Sequence, residues 1–113
     1  MLFVDDEEMI AAIGKQMLDV LGYDVELARS GKEAIEIYES RQGRFGLVVL
    51  DIVMPDMGGG ATFDRLKQIN PQVKVLLSSG YSIDGEATEI LKRGCKGFIQ
   101  KPFDLNELSL KIK

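Results

Sequence analysis

The segment Leu47-Val-Val-Leu-Asp51 places four apolar residues directly before a single carboxylate. A short apolar run of this kind is typical of a strand that is covered on both faces of a parallel sheet. Open α/β sheets bind ligands at the carboxyl ends of their strands, where Asp51 would lie. Three further segments end in the same way: Met1-Leu-Phe-Val4 before Asp5-Asp6, Val75-Leu-Leu77 before Ser78-Ser79, and Gly97-Phe-Ile99 before Gln100-Lys101-Pro102.

The order of strand-like and helix-like segments predicts the architecture. The two types alternate five times along the chain, which indicates βαβ units around a parallel sheet. The second strand-like segment, Val25 to Ala28, has no polar cluster at its end and is therefore placed at a sheet edge. We predict an α/β fold of the flavodoxin-like, doubly wound class. Its five-stranded parallel sheet has the order 2-1-3-4-5, with helices on both faces and a crevice between strands one and three.

Local signals bound the predicted helices. The capping pair Ser30 and Glu33 opens the second helix, and the third follows Gly58-Gly59-Gly60. Glycine adds backbone freedom, so these three residues are expected to loosen the start of that helix. The first helix is predicted from about Glu8 to Leu21, with an inward face made by Ile10, Ile13, Met17 and Leu21.

Composition excludes several classes of function. The chain has 113 residues, enough for one domain, and its 18 acids against 14 bases argue against nucleic-acid binding, which needs a basic face. No apolar run approaches the ~20 residues that span a bilayer, and the sequence shows no signal-peptide pattern. The single cysteine, Cys95, fits a reducing cytoplasm. Because the chain has no histidine, it cannot itself supply a histidine base or a histidine zinc ligand.

The strand-end residues suit Mg²⁺ and a phosphoryl group. Asp5, Asp6 and Asp51 offer the hard oxygen ligands that Mg²⁺ prefers, and a carboxylate can act as a nucleophile towards phosphorus. Lys101 and the Ser79 hydroxyl could neutralise phosphoryl oxygens. Each residue alone has a simpler interpretation as a helix cap or turn residue. The ordered combination is more specific than any of its parts.

The chain resembles, over its whole length, the receiver domain of bacterial two-component response regulators. The resemblance implies that Asp51 accepts a phosphoryl group from a phosphohistidine on a histidine kinase or a histidine phosphotransfer domain. Such a domain promotes its own phosphorylation and dephosphorylation and is a switch more than a turnover enzyme. The matching segments are Val4-Asp5-Asp6-Glu7, Leu50-Asp51-Ile-Val-Met-Pro55 with Gly59, Ser78-Ser79-Gly80, and Gly97-Phe98-Ile-Gln-Lys101-Pro102-Phe103.

The same resemblance implies roles for the metal site. Asp6 and Asp51 would bind Mg²⁺, or Mn²⁺, directly together with the backbone carbonyl of Val53. Asp5 would act through a bound water. Lys101 would pair with the phosphoryl oxygens, and its peptide bond to Pro102 would be cis.

The resemblance also implies how the signal leaves the domain. Ser79 would bond a phosphoryl oxygen, and Phe98 would rotate towards the space that is vacated. Simple core packing is the alternative role for Phe98. The surface of helix four, strand five and helix five would change and serve as a contact surface, for a homodimer or an intramolecular contact.

Two further hypotheses concern the lifetime of the phosphorylated state and the larger protein to which the domain belongs. Val53 and Tyr81, two residues after Asp51 and Ser79, are expected to hinder an attacking water and prolong the phosphorylated state. Tyr81 as an exposed contact residue is an equal alternative. The abrupt termini at Met1 and Lys113 lead us to expect a single receiver domain cut from a longer chain. The segments Leu77-Ser-Ser-Gly-Tyr-Ser82 and Phe98-Ile-Gln-Lys-Pro-Phe103 are similar to those of receivers fused to hybrid sensor histidine kinases.

Three rival functions share parts of this pattern. A haloacid-dehalogenase-like phosphatase also uses an Asp nucleophile and Mg²⁺, but it needs a second Asp where this chain has Val53. A flavodoxin-like electron carrier needs a hydroxyl-rich phosphate loop, and Asp5 and Asp6 would repel a flavin phosphate. A degenerate receiver that serves only as a protein-binding module stays open as an alternative, although all site residues are present here.

Overall fold

Strands and helices alternate throughout the computed structural model, which describes residues 1–54, 56–80 and 85–112. Pro55, Tyr81 and Lys113, to which the sequence analysis assigned significance, lie outside the described residues. The strands are β1 (Leu2–Val4), β2 (Glu26–Ala28), β3 (Val48–Asp51), β4 (Val75–Ser79) and β5 (Gly97–Gln100). The helices are α1 (Glu8–Val20), α2 (Gly31–Ser40), α3 (Gly59–Ile69), α4 (Gly85–Lys92) and α5 (Leu105–Ile112).

The sheet confirms the predicted fold class and strand order. Its five strands are parallel in the order β2-β1-β3-β4-β5, with β2 at one edge. The register aligns Val4 with Leu50 and Asp51 with Ser78, so the strands end at nearly the same level. The residues that follow these strands therefore meet at one edge of the sheet.

Two apolar cores lie on opposite faces of the sheet, because successive side chains of a strand point in opposite directions. On one face, Val4 and Leu50 pack with side chains of α2, α3 and α4. On the other, Phe3 and Val49 pack with side chains of α1 and α5. Full burial of one such side chain stabilises a fold by roughly 1.5–3 kcal/mol. Both faces of the central strands are covered, which explains their uninterrupted apolar sequence.

The inward face of α1 differs from the predicted one. Ala11, Gly14 and Leu18 are buried, whereas Ile13 is 46% exposed. A Cβ at Gly14 would lie 2.5 Å from Phe3 Cζ, so α1 crosses the sheet too closely for a larger side chain. The helix thus presents its small residues to the sheet. Met17 and Leu21 of the predicted face pack at the margin of this core, so the prediction was wrong for Ile13.

The start of α3 also differs from the prediction. Gly59 and Gly60 form the first turn of the helix instead of preceding it, and Gly58 is the N-cap. A Cβ at Gly59 would lie 2.7 Å from Ile52 Cα and 2.9 Å from the Asp51 carbonyl oxygen. The missing side chain at Gly59 therefore lets α3 pack directly against the end of β3.

Helix α2 begins where the capping residues predicted. The Ser30 hydroxyl accepts a hydrogen bond from the backbone N–H of Glu33 at 3.0 Å. This bond satisfies one of the free N–H groups of the first turn. The longest described helix, α1, has 13 residues, and none of the described helices has both the length and the apolar character needed to cross a membrane.

Candidate functional site

Three carboxylates converge at the carboxyl end of the sheet. Asp5 and Asp6 follow β1, and Asp51 ends the neighbouring strand β3. One carboxylate oxygen from each residue lies within 4.8 Å of the other two. Asp5 and Asp51 are buried, and Asp6 is exposed. Like charges this close are unfavourable without a cation, so the cluster has the character of a cation-binding site.

Lys101 brings a positive charge into this cluster. Its Nζ donates a hydrogen bond to Asp5 Oδ2 at 3.0 Å and lies 3.3 Å from Asp51 Oδ2. Its backbone N–H donates to the Ser79 carbonyl oxygen at 2.7 Å, and its peptide bond to Pro102 is cis. Burial lowers the pKa of Lys101, but the hydrogen bond to Asp5 and the charge of Asp51 outweigh burial and raise this pKa overall. Lys101 is therefore a fixed cation beside Asp51.

The carboxyl group of Asp51 has a pKa above the ordinary value for an aspartic acid. The pKa of Asp51 is raised to about 6 overall: burial is the main cause, the charge of Lys101 acts in the opposite direction, and the charge of Asp5 contributes to the increase. A divalent cation in the cluster would favour the ionised form and reverse this shift. Ionisation of Asp51 and binding of a cation therefore favour each other.

The other predicted residues that the structure describes lie on or after β3, β4 and β5 at different depths. The backbone N–H of Val53 donates to Asp51 Oδ1 at 3.4 Å, while the Val53 side chain is 56% exposed. Ser79 is buried at the end of β4, between the strands that carry Asp51 and Lys101. Phe98 is half-buried on β5 and packs against the core shared with α4. Tyr81 lies outside the described residues.

An open cleft of about 500 Å³ gives access to Asp51. Glu7, Ile10 and Gly80 line it, although none of them was predicted to belong to the site. Ile10 lies in the first turn of α1, a few residues after Asp6, and nearness in sequence to the acidic pair was the available signal. The remaining lining residues are Asp6, Asp51, Val53, Lys101 and Pro102.

The sheet order, the clustered acids and the lysine at the carboxyl edge agree with the receiver-domain resemblance of the sequence. Residues 1–113 match the family model described as the response regulator receiver domain. The chain therefore belongs to the response regulator receiver domain family, whose members are phospho-accepting switches of two-component signalling.

Individual relatives agree with the family match. The chain is 38% identical over 112 residues to the sensor kinase CckA of Brucella abortus and 37% identical over 112 residues to the transcriptional regulatory protein ZraR of Escherichia coli. These matches cover 99% of this chain, but only 12% of CckA and 25% of ZraR. The chemotaxis protein CheY of Thermotoga maritima is 33% identical over 103 residues, covering 90% of this chain and 84% of that protein.

Solved structures share the fold over nearly the whole chain. The CheY subunit of the CheX–CheY–BeF3–Mg²⁺ complex from Borrelia burgdorferi has a TM-score of 0.92 at 26% identity, covering 98% of this chain and 84% of the other. A CheY-like receiver domain from Methanospirillum hungatei has a TM-score of 0.89 at 32% identity, covering 98% and 87%.

Proposed function

We propose that Asp51 is the phosphoryl acceptor of this receiver domain. The observation that carries this assignment is the position of its carboxylate: Asp51 is only 3% exposed, yet it lines the open cleft and lies beside Lys101. Asp5 is fully buried and does not line the cleft, and Asp6 is exposed and forms no ion pair with Lys101 within the described part of the chain. Asp51 therefore combines access for a donor with a neighbouring cation.

The proposed donor is a phosphohistidine on a histidine kinase or a histidine phosphotransfer domain. It belongs to another chain or another domain, because this chain has no histidine. In the transfer, the P–N bond of the donor breaks, a P–O bond forms to an Asp51 carboxylate oxygen, and the electron pair stays on the imidazole. Lys101 and the Ser79 hydroxyl neutralise and hold the phosphoryl oxygens during this step.

The acidic cluster fits Mg²⁺, or Mn²⁺, as the cofactor. Its donor atoms are hard carboxylate oxygens, and the exposed position of Asp6 leaves room for water and phosphoryl oxygens in the ligand shell. We propose Asp6, Asp51 and the Val53 carbonyl as direct ligands, with Asp5 acting through a water. When bound, the cation supplies charge neutralisation at the phosphoryl oxygens. The Mg²⁺ in the Borrelia burgdorferi CheY complex supports this choice.

The proposed output is a change of the surface formed by α4, β5 and α5. Ser79 ends β4 next to Asp51, and Phe98 lies on the adjoining strand β5. Phe98 packs against the core cluster that contains Ala87 and Ile90 of α4, so rotation of its ring would alter the support of that helix. The same packing suits a purely structural Phe98. The changed surface would then bind a second copy of the chain or another segment of a longer protein.

We also propose that the chain acts as a receiver module of a longer protein, one candidate being a hybrid sensor kinase. The large part of CckA that the match does not cover supports this context. No observation favours the phosphatase alternative, since the position two residues after Asp51 holds the apolar Val53.

Intact mass after incubation with acetyl phosphate and Mg²⁺ tests the proposed function. We expect the addition of one phosphoryl group per chain. This addition should not occur when EDTA replaces Mg²⁺, nor in the Asp51→Asn variant. Asp19→Asn is the matched control, because Asp19 is an exposed carboxylate on α1 that pairs with Lys15. Equal labelling of Asp51→Asn would contradict the proposal. Catalytic release of phosphate from many monoesters would support the phosphatase, and a bound yellow flavin would support the electron carrier.

A further inference from the structure

Asp56 connects the segment after β3 to the beginning of α2. Its Oδ1 accepts a hydrogen bond from the backbone N–H of Gly31 at 3.2 Å, and its Oδ2 accepts one from Lys32 at 2.9 Å. Both donors belong to the first turn of α2, where N–H groups have no partner within the helix. The carboxylate thus spans two adjacent N–H groups of an element that is remote in sequence.

Helix α2 does not depend on Asp56 alone for its cap. Ser30 already caps it locally through the N–H of Glu33. The backbone N–H groups, that of Lys32 foremost, hold the pKa of Asp56 below its usual range. The two bonds therefore involve the ionised carboxylate, which the positive end of the helix dipole favours.

Gly31, which donates one of the two hydrogen bonds to Asp56, is closely packed. A Cβ at Gly31 would overlap Thr62 Oγ1 and Met57 Cγ, so the first residue of α2 touches both α3 and the residue after Asp56. At the other end of the segment, the Gly59 N–H donates to the Ile52 carbonyl oxygen at 2.8 Å. The described residues of the β3–α3 segment, 52–54 and 56–58, are therefore anchored at α2 as well as at the start of α3.

Val53 lies between these anchors, and its N–H donates to Asp51. Because its side chain is largely exposed, few packing contacts fix the backbone at this point. We propose that Asp56 is a positioning residue for the site: its two hydrogen bonds to α2 hold the β3–α3 segment so that the Val53 carbonyl faces the acidic cluster. This inference rests on the proposed function, in which that carbonyl binds Mg²⁺.

Asp56→Ala and Ser30→Ala form a matched pair of variants. Each removes a side chain that accepts hydrogen bonds from the first turn of α2, and we expect each to lower Tm by about 4–8 °C. Calorimetric titration well below Tm would measure Mg²⁺ affinity, with Asp51→Asn as the blank. We expect Asp56→Ala to bind Mg²⁺ roughly threefold to tenfold more weakly than wild type, and Ser30→Ala to bind it like wild type. Equal affinities for the two Ala variants would overturn the proposal.

The negative charge of Asp56 requires its own control. Asp56→Asn loses the charge but keeps one oxygen that can accept an N–H bond, so we expect an intermediate Mg²⁺ affinity. If Asn weakened binding as much as Ala, and high salt abolished both losses, the effect would be electrostatic and the positioning role would be wrong.

A metal-free measurement separates this inference from the proposed function. Amide hydrogen exchange of Val53 and Lys32 should accelerate in Asp56→Ala, while Ser30→Ala should accelerate only amides of α2. Failure of wild type to bind Mg²⁺ would refute the proposed function and leave the exchange result standing. Unchanged exchange of Val53 in Asp56→Ala would refute the positioning role.

Discussion

The ammonium nitrogen of Lys101 lies 3.3 Å from a carboxylate oxygen of Asp51, in a site where both side chains are buried. The same nitrogen is 3.0 Å from Asp5. With all groups ionised, three carboxylates and one ammonium leave two negative charges uncompensated, which matches the charge of one divalent cation. Lys101 thus stabilises the cluster partially and leaves it suited to a metal ion.

Replacement of Lys101 by Met should destabilise the fold. Loss of one partner leaves the buried carboxylates uncompensated, and we expect a loss of about 3 kcal/mol in the free energy of unfolding at pH 7. Urea denaturation without metal would measure it. Lys101→Arg is the control, since it keeps the charge and should be less harmful. A Met variant as stable as wild type would show that the ion pairs contribute nothing.

Replacement of Asp51 by Asn should stabilise the metal-free protein at neutral pH. The folded-state pKa of Asp51 is about 6, above its ordinary value of 3.8, so ionisation of Asp51 opposes folding. This destabilisation is present above pH 6 and disappears as the pH falls below about 4. We expect Asp51→Asn to be more stable than wild type by about 1–3 kcal/mol at pH 7.5, and by less at pH 4.5.

Urea denaturation in EDTA at both pH values would test the prediction for Asp51→Asn. Added Mg²⁺ should reduce the advantage of the variant at pH 7.5, because it stabilises only the wild-type site. An advantage that is the same at pH 7.5 and pH 4.5 would mean that the titration of Asp51 is not its cause.

The sheet order and the convergence of polar strand ends could be predicted from the sequence. Parallel strands must end at a common edge, so Asp51 and Lys101 could be placed together without knowledge of any distance. The pKa of Asp51 could not be predicted, since it depends on the extent of burial and on which oxygen faces Lys101. The sequence pattern thus predicts which residues lie near each other, while the pKa of a site residue depends on how the folded chain packs around it.

The errors in the sequence analysis have a common physical cause. Gly14 and Gly59 occupy positions where one backbone approaches another element closely, and apolar periodicity gives no weight to a missing side chain. The bond of Asp56 to Gly31 and Lys32 links residues far apart in sequence, so no local motif indicates it. Close approach and long-range polar contacts require the tertiary structure.

Gly59 and Gly60 should respond in opposite ways to substitution by Ala. A Cβ at Gly59 would overlap the backbone of Asp51 and Ile52, whereas one at Gly60 would meet Ile90 and Arg93 side chains at an ordinary 3.5 Å. We expect Gly59→Ala to cost about 1–3 kcal/mol of stability. Gly60→Ala should add about 0.4–1 kcal/mol by reducing the freedom of the unfolded chain.

Chemical denaturation of the two Ala variants would compare them directly. The glycines are adjacent and both lie in the first turn of α3, so helix propensity alone predicts the same gain for each. A gain in both variants would show that α3 can move away from β3 at no cost.

Val53 should influence the lifetime of the phosphorylated state. Its exposed apolar side chain lines the cleft next to Asp51 and offers no hydrogen bond to an attacking water. An amide in Val53→Asn could orient that water, and one hydrogen bond worth about 1 kcal/mol corresponds to a roughly fivefold faster decay. The predicted partner in this effect, Tyr81, should act likewise when it is changed to Glu.

Intact mass at intervals after removal of acetyl phosphate would measure the decay. Val53→Thr and Val53→Ala distinguish two causes, since Thr keeps the shape of Val and adds a hydroxyl, whereas Ala only removes bulk. Faster decay in Asn and Thr but not in Ala would assign the effect to orientation of water, and faster decay in Ala alone would assign it to steric shielding. Decay at the wild-type rate in all three variants and in Tyr81→Glu would refute the hypothesis, because neither the polarity nor the volume of these side chains would then limit hydrolysis.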